Sequence, residues 1–414
     1  MIIDKIKDLP MIRTTICSLL FLVLAGALKS QNLPVIETGS VTPMPVKWID
    51  KDTGHKIIHL VSREGENRSF YFHNNPFLPA KGGIGEKMIF YGMVDKDMQL
   101  FSVDLKTNAA SQLTNKKGVA GEIVGGKTRQ VYYQCGDSLF ATGVDNLQTR
   151  LIYVFPDSIQ GKITTVNADE TLLAGALNSP EEAAIFKQYP EKHDYFNRIY
   201  DAKLLRSLFT IRIKDGEMKK IYSEKAWLNH IQFSPEDPDL LMFCHEGPWH
   251  KVDRIWTINV TGGSPKLMHQ RTMEGEIAGH EFFSPDGKRI WFDLQMPRSV
   301  TFFLSGSDIG TGQETRYTMT RNEWSIHFTN SPDQQLFAGD GGDPGQVAKA
   351  KDGMWIYLFH PDGDHFSSER LVNMKHHNYK LEPNVHFTPD GKQIIFRANF
   401  EGHSDIYAVE IAKR

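Results

Sequence analysis

A short turn signature recurs along this chain, and it constrains the fold more than any other feature. Phe283-Ser284-Pro285-Asp286-Gly287-Lys288 runs into Arg289-Ile290-Trp291-Phe292, and Phe387-Thr388-Pro389-Asp390-Gly391-Lys392 runs into Gln393-Ile394-Ile395-Phe396. Proline presets the turn, aspartate bonds its own backbone and glycine takes the positive φ, so each copy reads as a hairpin of two apolar strands. Asp286 and Asp390 are therefore expected to build turns, not to catalyse. Weaker copies are Phe233-Ser234-Pro235 before strand 240–243 and Asn330-Ser331-Pro332-Asp333 before strand 336–338. Degenerate ones are Phe72-His73-Asn74-Asn75-Pro76-Phe77 before 87–91, Gly121-Glu122-Ile123 before 130–133, and 165–170 before 171–174.

Each hairpin is followed by an outer pair of strands, such as 99–104 with 110–113, or 254–259 with 266–268. The hairpins recur at a spacing of roughly 45 to 60 residues, a period typical of radial blade architectures. Counting them predicts an all-β fold, a seven-bladed β-propeller with four-stranded antiparallel blades, spanning residues 31–414 as one domain. Segment 46–62 is expected to add a strand to the last blade and close the ring, which removes an exposed sheet edge. Helical character is confined to 180–200, read as an insertion. The Gly-rich segments 80–86 and 339–345 read as loops, Asp340 and Asp343 included.

Residues 1–30 read as a secretory signal peptide. Arg13 precedes the apolar run 18–28, Lys29-Ser30-Gln31 follow it, and Ala25-Gly26-Ala27 offers a small-residue cleavage site. The run falls short of the roughly 20 residues that a membrane-spanning helix needs. Met11 is the alternative start, because a leader carrying Asp4 and Asp8 ahead of a signal is unusual. These features predict a periplasmic or secreted monomer with no membrane attachment after signal removal. A formal net charge of −3 provides no global field for nucleic acid, so a polyanionic ligand must be held by a local cationic site. Cys135 and Cys244 fall in different repeats and are expected to be free, with one disulfide as the alternative.

Histidines at strand ends carry the functional signal. His245 follows the second strand of one blade. His280 and His327 sit on the innermost strands of the next two, and His73 holds a related place in the first. His376, His377, Glu382, Asn384 and His386 approach or enter the innermost strand of the last blade. In a propeller these positions ring the mouth of the central channel. A lone strand-end histidine is ordinarily structural; convergence of several on one axis argues for a site. Trp249, Trp291 and Trp324 are available to stack on sugar rings, although Trp291 and Trp256 also fit blade packing.

Two segments then resemble a known family. Phe243-Cys244-His245-Glu246-Gly247-Pro248-Trp249, with Val252-Asp253-Arg254-Ile255-Trp256 after it, and Gly279-His280-Glu281-Phe282-Phe283-Ser284-Pro285-Asp286-Gly287 resemble the oligogalacturonate lyases in sequence and order. Those are β-propeller enzymes that cleave pectin fragments by β-elimination. The resemblance runs, with gaps, from about Trp48 to the C-terminus. It implies that His245 is the Brønsted base, that His280 is a metal ligand, and that Mn²⁺ or another divalent cation is held with further ligands from the last blade. Where the family carries a Gln and a His-Pro-His cluster before Phe-Thr-Pro-Asp, this chain has Tyr379-Lys380-Leu381-Glu382-Pro383-Asn384-Val385-His386-Phe387. Glu382 and Asn384 thus take the ligand positions, both able to bind a hard cation through oxygen, with His376 or His377 as alternatives. Arg254, Arg206 and Arg298 compete for the role of an assisting arginine. His73, His327, Arg298 and Trp249 are expected to contact the substrate, an acidic oligosaccharide.

β-Elimination from a uronate needs a base for the C5 proton, a cation against the carboxylate and a departing 4-oxygen. Neutral imidazole, with an ordinary pKa near ~6.5, suits the base. The expectation is a metal-assisted lyase of short oligogalacturonates that yields a 4,5-unsaturated uronate. A lyase for another uronate glycan and a non-catalytic periplasmic binding propeller are the alternatives. Hydrolysis by Glu246 and Glu281 ranks low, because strand alternation points both away from the face of His245 and His280.

Overall fold

The repeating unit is fastened by its turns. In the computed structural model, which describes residues 33–413, Ser284 Oγ donates to Asp286 Oδ1 at 2.7 Å and the same oxygen accepts the Lys288 N–H at 3.2 Å. Gly287 closes the turn at φ +65°. Thr388 with Asp390 repeats the fastening at 2.7 Å and Ser331 with Asp333 at 2.6 Å. Asp286 and Asp390 are turn residues, as expected. The signal-type segment 1–30, with Arg13, Cys17 and the apolar run, lies outside the described residues.

Strands Val119–Gly125, Gln130–Cys135, Ser138–Gly143 and Thr149–Val154 pair in order as a four-stranded antiparallel sheet. The order recurs in Gln160–Val166, Leu172–Asn178, Arg206–Arg212 and Met218–Glu224, and again in Leu228–Phe233, Leu240–His245, Ile255–Asn259 and Lys266–Leu267. Ile277–Phe283, Arg289–Gln295, Phe302–Asp308 and Glu314–Met319 follow. A single parallel bridge, Thr318 to His365, joins these to Phe328–Asn330, Phe337–Gly339, Trp355–Asp362 and His365–Asn373. Near the start, Lys87–Val94 carries two short inner partners, Asn67–Arg68 and Phe77–Leu78, with residues 69–76 between them outside the ladder. The described chain is all-β in repeated four-stranded antiparallel sheets, consistent with a β-propeller.

Closure follows the predicted route. Lys56–His59 pairs antiparallel with Asp405–Glu410, placing Ile57 opposite Val409 and His59 opposite Tyr407. Gln393–Ala398 and His386–Phe387 continue that sheet inward, and Lys47–Asp50 and Val35–Ile36 widen it outward to six strands. The outer strands are pinned by Trp48, which is fully buried and donates through Nε1 to Thr38 Oγ1 at 2.9 Å. Thr38 in turn donates to Asp50 Oδ2 at 2.6 Å. Aromatic side chains fill the space between sheets; Phe337, Phe359 and Phe366 meet at centroid distances of 5.1 to 5.4 Å.

The helical insertion comprises α1 (Pro180–Gln188) and α2 (Lys192–Ala202). Ser179 caps α1, accepting the Glu182 N–H at 3.3 Å, with Pro180 in the first turn where its missing donor does no harm. Arg206 anchors the insertion to the sheet. Its guanidinium forms a two-pronged pair with Glu182, Nε to Oε2 at 2.8 Å, and donates to the Leu228 carbonyl at 2.7 Å. Among the described residues no helix is long and apolar enough to cross a membrane, and Cys135 and Cys244 are both free.

Removing one partner of a buried ion pair strands the other charge. Glu182→Ala is therefore expected to lower stability by about 3 kcal/mol, read as a fall in the urea midpoint with unchanged slope. A midpoint equal to that of the parent protein would refute the anchoring role.

Candidate functional site

Four innermost strands carry a polar residue four positions ahead of the Ser or Thr that opens the turn. These are His230, His280, His327 and Asn384. His230, His280 and Asn384 adopt positive φ values of 47°, 52° and 52°. The ladders slip at the first two, between Asn229 and Gln232 and between Gly279 and Phe282. A bulge of this kind leaves one residue unpaired and re-aims its side chain. The rings of His280 and His327 meet at 4.9 Å. Tyr71, from the unpaired stretch of the first sheet, lies 5.0 Å from His327, 5.0 Å from His73 and 6.2 Å from His230.

His327 is held by Asp340. The Asp340 carboxylate accepts the His327 N–H and its Nδ1–H, each at 2.8 Å, and both side chains are fully buried. With the proton on Nδ1, Nε2 presents a lone pair. That atom is buried without a hydrogen-bond partner, and Glu382 Oε2 stands 3.7 Å away. A carboxylate on the far nitrogen is the arrangement that orients metal-binding imidazoles. His280 also has a bare buried atom, Nδ1, and Trp249 stands edge-on to its ring at 5.1 Å. Burial pushes the His280 pKa well below its ordinary value, and His327 and Arg254 push the same way, so the ring is neutral at neutral pH.

Beside it lies a buried charge group. Arg254 donates to Glu246 Oε1 at 2.7 Å and to Glu281 Oε2 at 3.0 Å, with its guanidinium 5.0 Å over the Trp249 ring. Burial would raise the Glu246 pKa, but Arg254 and His230 hold it well below the usual range. His230, Cys244 and Glu246 place ligand atoms within 4.8 Å of one another. Arg254 already answers the carboxylate there, so that group needs no cation. A cavity of about 690 Å³ lies on the side of the turns, with Phe72, His73, Glu122, Gln232, Phe282 and His386 in its wall.

The structure brings together His73, His280, His327, Trp249 and Glu382, and leaves other predicted residues outside. His245 turns to Glu224, 3.0 Å from Nε2, and to the Trp256 ring at 5.0 Å, not to the histidine group. Arg206 is engaged by Glu182. His376 is exposed and bonded to Glu37 at 2.6 Å, while His377 bonds the Leu381 carbonyl at 2.7 Å. Arg298 is exposed. Asn384 has both side-chain ends tied to backbone, Oδ1 accepting from Phe72 N at 2.9 Å and Nδ2 donating to Glu382 O at 3.0 Å, so it fastens the site without facing it. Trp324 is a core residue whose Nε1 donates to Asp293 at 3.0 Å, and it is not available to a sugar. Asp340, read as loop-forming, is the fixing partner of His327. Glu246 does part from His245 as alternation requires, yet it reaches His230, at 3.4 Å.

A family model described as oligogalacturonate lyase matches residues 42–414. The chain belongs to the oligogalacturonate lyase family. It is similar to an oligogalacturonate lyase of Dickeya dadantii (strain 3937), 27% identical over 384 residues, which covers 87% of this chain and 95% of that one. A solved oligogalacturonate lyase in complex with manganese matches with a TM-score of 0.76 at 25% identity, covering 89% of this chain and 96% of the other. In fold alone the likeness extends to a β-propeller domain from Myceliophteria thermophila, 10% identical with a TM-score of 0.52 over 84% of this chain and 98% of that domain.

In this member of the oligogalacturonate lyase family, His230 and Tyr71 are site residues that the sequence reading passed over. The offset that relates His280 to Ser284 selects His230 when applied to Ser234. Tyr71 has no such signal, because the inner strand is broken around it.

Burial also holds His377 and His386 down to about 4. Each takes up its proton near pH 6.5 when unfolded and only near pH 4 when folded, so stability falls with pH across that window by about 1.4 kcal/mol per unit per histidine. Urea midpoints at pH 7, 6, 5 and 4 are expected to fall steeply below 6, and His377→Gln to flatten the slope by one histidine's share. A midpoint constant from pH 7 to 4 would contradict these burials.

Proposed function

We propose that this protein is a metal-assisted oligogalacturonate lyase that cleaves short uronic-acid oligosaccharides by β-elimination and leaves a 4,5-unsaturated uronate on the new non-reducing end. The observation that carries this reading is the meeting of two imidazole rings, each with a bare buried nitrogen (His280 Nδ1 and His327 Nε2), with Glu382 beside His327, in a chain of this family. We read the ring as seven blades: three separate four-stranded sheets, the two halves of the eight-stranded sheet, the sheet built on Lys87–Val94, and the sheet closed by Lys56–His59. Export rests on the N-terminal pattern in 1–30.

The donor set fits a divalent ion such as the manganese of the solved relative, since an oriented imidazole nitrogen and a carboxylate oxygen suit Mn²⁺. His327 and Glu382 would hold it, and the ion would supply the positive charge against which the C5 proton of a uronate becomes acidic. His280, kept neutral by burial, takes that proton at Nδ1. This moves the base from His245, whose ring is engaged by Glu224. Arg254 is flanked by two carboxylates, and so it holds the wall of Glu246, Glu281 and Trp249 against which His280 stands. Tyr71 stays protonated, because burial and the carboxylates of Glu382 and Glu281 raise its pKa, and it is the proton donor for the departing 4-oxygen. Trp249 and His73 face the sugar.

Ultraviolet absorbance of the unsaturated product during incubation with di- and trigalacturonate and Mn²⁺ tests the reading. His280→Ala is expected to lose about 10²–10⁴-fold in rate while remaining folded, and His245→Ala to lose far less. No absorbance growth with metal-loaded parent protein would sink oligogalacturonate as substrate. Equal losses in the two variants would return the base role to His245. Asp340→Asn is expected to weaken Mn²⁺ binding by about 10–100-fold in calorimetric titration; unchanged binding would remove His327 from the ligand set.

A further inference from the structure

A second group of metal-capable side chains lies apart from the histidine centre, where the ring closes. His59 ends the closing strand, Asp405 and Tyr407 belong to its partner Asp405–Glu410, and Glu401 and His403 come from the turn just before. Ligand atoms of His59, Glu401 and Asp405 all lie within 4.8 Å of one another. His403 Nε2 is 3.0 Å from Asp405 Oδ2, and His59 Nε2 is 3.2 Å from the same oxygen. Yet His59 Nε2 is buried and makes no hydrogen bond, so the distance is short while the direction is wrong for one.

Two ligands of a single ion stand in that relation. Metal bonds of about 2.0–2.1 Å in tetrahedral array put neighbouring ligand atoms about 3.3 Å apart with no hydrogen between them. Tyr407 is fully buried beside these groups, and its ring stacks on His59 at 4.8 Å. The remaining oxygens are already oriented by the protein. Asp405 Oδ1 accepts from Asn67 Nδ2 at 2.9 Å, and Glu401 Oε1 accepts from the Met44 N–H at 2.9 Å. Arg63, the cation coupled to Asp405, gives its hydrogen bonds to Asn67 Oδ1 and the Met93 carbonyl instead.

We propose that His59, Glu401 and Asp405, with His403 closing on Asp405 from the turn, form a second, structural divalent-cation site that clasps the N-terminal closing strand to the C-terminal strand. Two imidazoles with two carboxylates select a borderline transition ion of the Zn²⁺ type over Ca²⁺ or Mg²⁺, which prefer all-oxygen shells. The four residues lie 346 positions apart at the extremes, from His59 to Asp405, so the site exists only in the closed ring. Binding to the folded state alone raises stability by mass action.

The full chain, stripped by chelator and dialysed, is titrated with Zn²⁺ while bound metal and thermal midpoint are recorded. The comparison includes His403→Ala, whose side chain is part-exposed and leaves the fold intact, His59→Gln as a second clasp variant, and His327→Ala to disable the proposed catalytic ligand. The parent protein and His327→Ala are expected to gain midpoint with Zn²⁺. His403→Ala and His59→Gln are expected to lose the gain, one bound equivalent, and about tenfold or more in affinity. A parent protein that gains nothing, or a His403→Ala protein that keeps both the gain and the equivalent, overturns the proposal. Because His327→Ala is measured alongside, failure of the catalytic-site reading and failure of the clasp give different patterns.

Discussion

The pairing of one four-residue strand, Lys56–His59, with Asp405–Glu410 is the contact on which this molecule depends. Sheets arranged around an axis bury their faces against each neighbour, so an unclosed ring would expose two faces and a bare edge at once. Closure also assembles the site. The Phe72 N–H reaches Asn384 Oδ1 at 2.9 Å, Arg397 donates to the Ser69 carbonyl at 2.9 Å, and His386 Nε2 meets the Asn74 carbonyl at 3.2 Å. Each of these bonds joins the beginning of the chain to its end. Tyr71 and His73 therefore face His327 and Glu382 only once the ring is shut.

Within the ring, buried charge is handled in two ways. Arg206 and Glu182 neutralise each other one to one, and the result is a fastener for the helical insertion. Arg254 faces two carboxylates, Glu246 and Glu281, and the result is different. The excess negative charge draws His230 towards Glu246, while the guanidinium disfavours a proton on His280. One group thus sets two histidines that share an offset to opposite tasks. A chain with a net charge of −3 has no long-range attraction for a polyanionic sugar, and the cation proposed at His327 and Glu382 would supply a local one.

Much of the fold was legible, because turn chemistry is local. Pro-Asp-Gly specifies its own geometry wherever it stands, and the hairpins at Ser284 and Thr388 formed as read. The helical insertion and the closing strand were legible for similar reasons, one from its periodicity and the other from its length and place. The site was less so. Alternation along a strand would set His280 and Glu281 on opposite faces, but the positive φ at His280 breaks the alternation at that residue, and no local pattern announces a bulge. His245 sits on a regular strand beside Glu224, a residue of the preceding sheet, and that neighbour is invisible without the packing. Asn384 stands at the position the sequence suggests for a ligand, yet its oxygen is engaged by Phe72, 312 positions away.

The bulges themselves argue for function. A left-handed backbone at a non-glycine residue costs about 1 kcal/mol or more, and glycine would adopt it freely. Here His230, His280 and Asn384 occupy that conformation at one common offset from the turn, on three different sheets. At Gly287, Gln334 and Gly391 a positive φ serves only to turn the chain, whereas at these inner positions it re-aims a side chain. At the mouth the chain places imidazoles, whose buried nitrogens find no partner within the protein at His280 and a carboxylate at His230. Strain and an unanswered lone pair are two separate penalties on the same residue. The backbone strain persists whatever the ring binds, whereas the bare nitrogen is answered, on the function proposed above, when a proton from a substrate carbon meets His280 Nδ1.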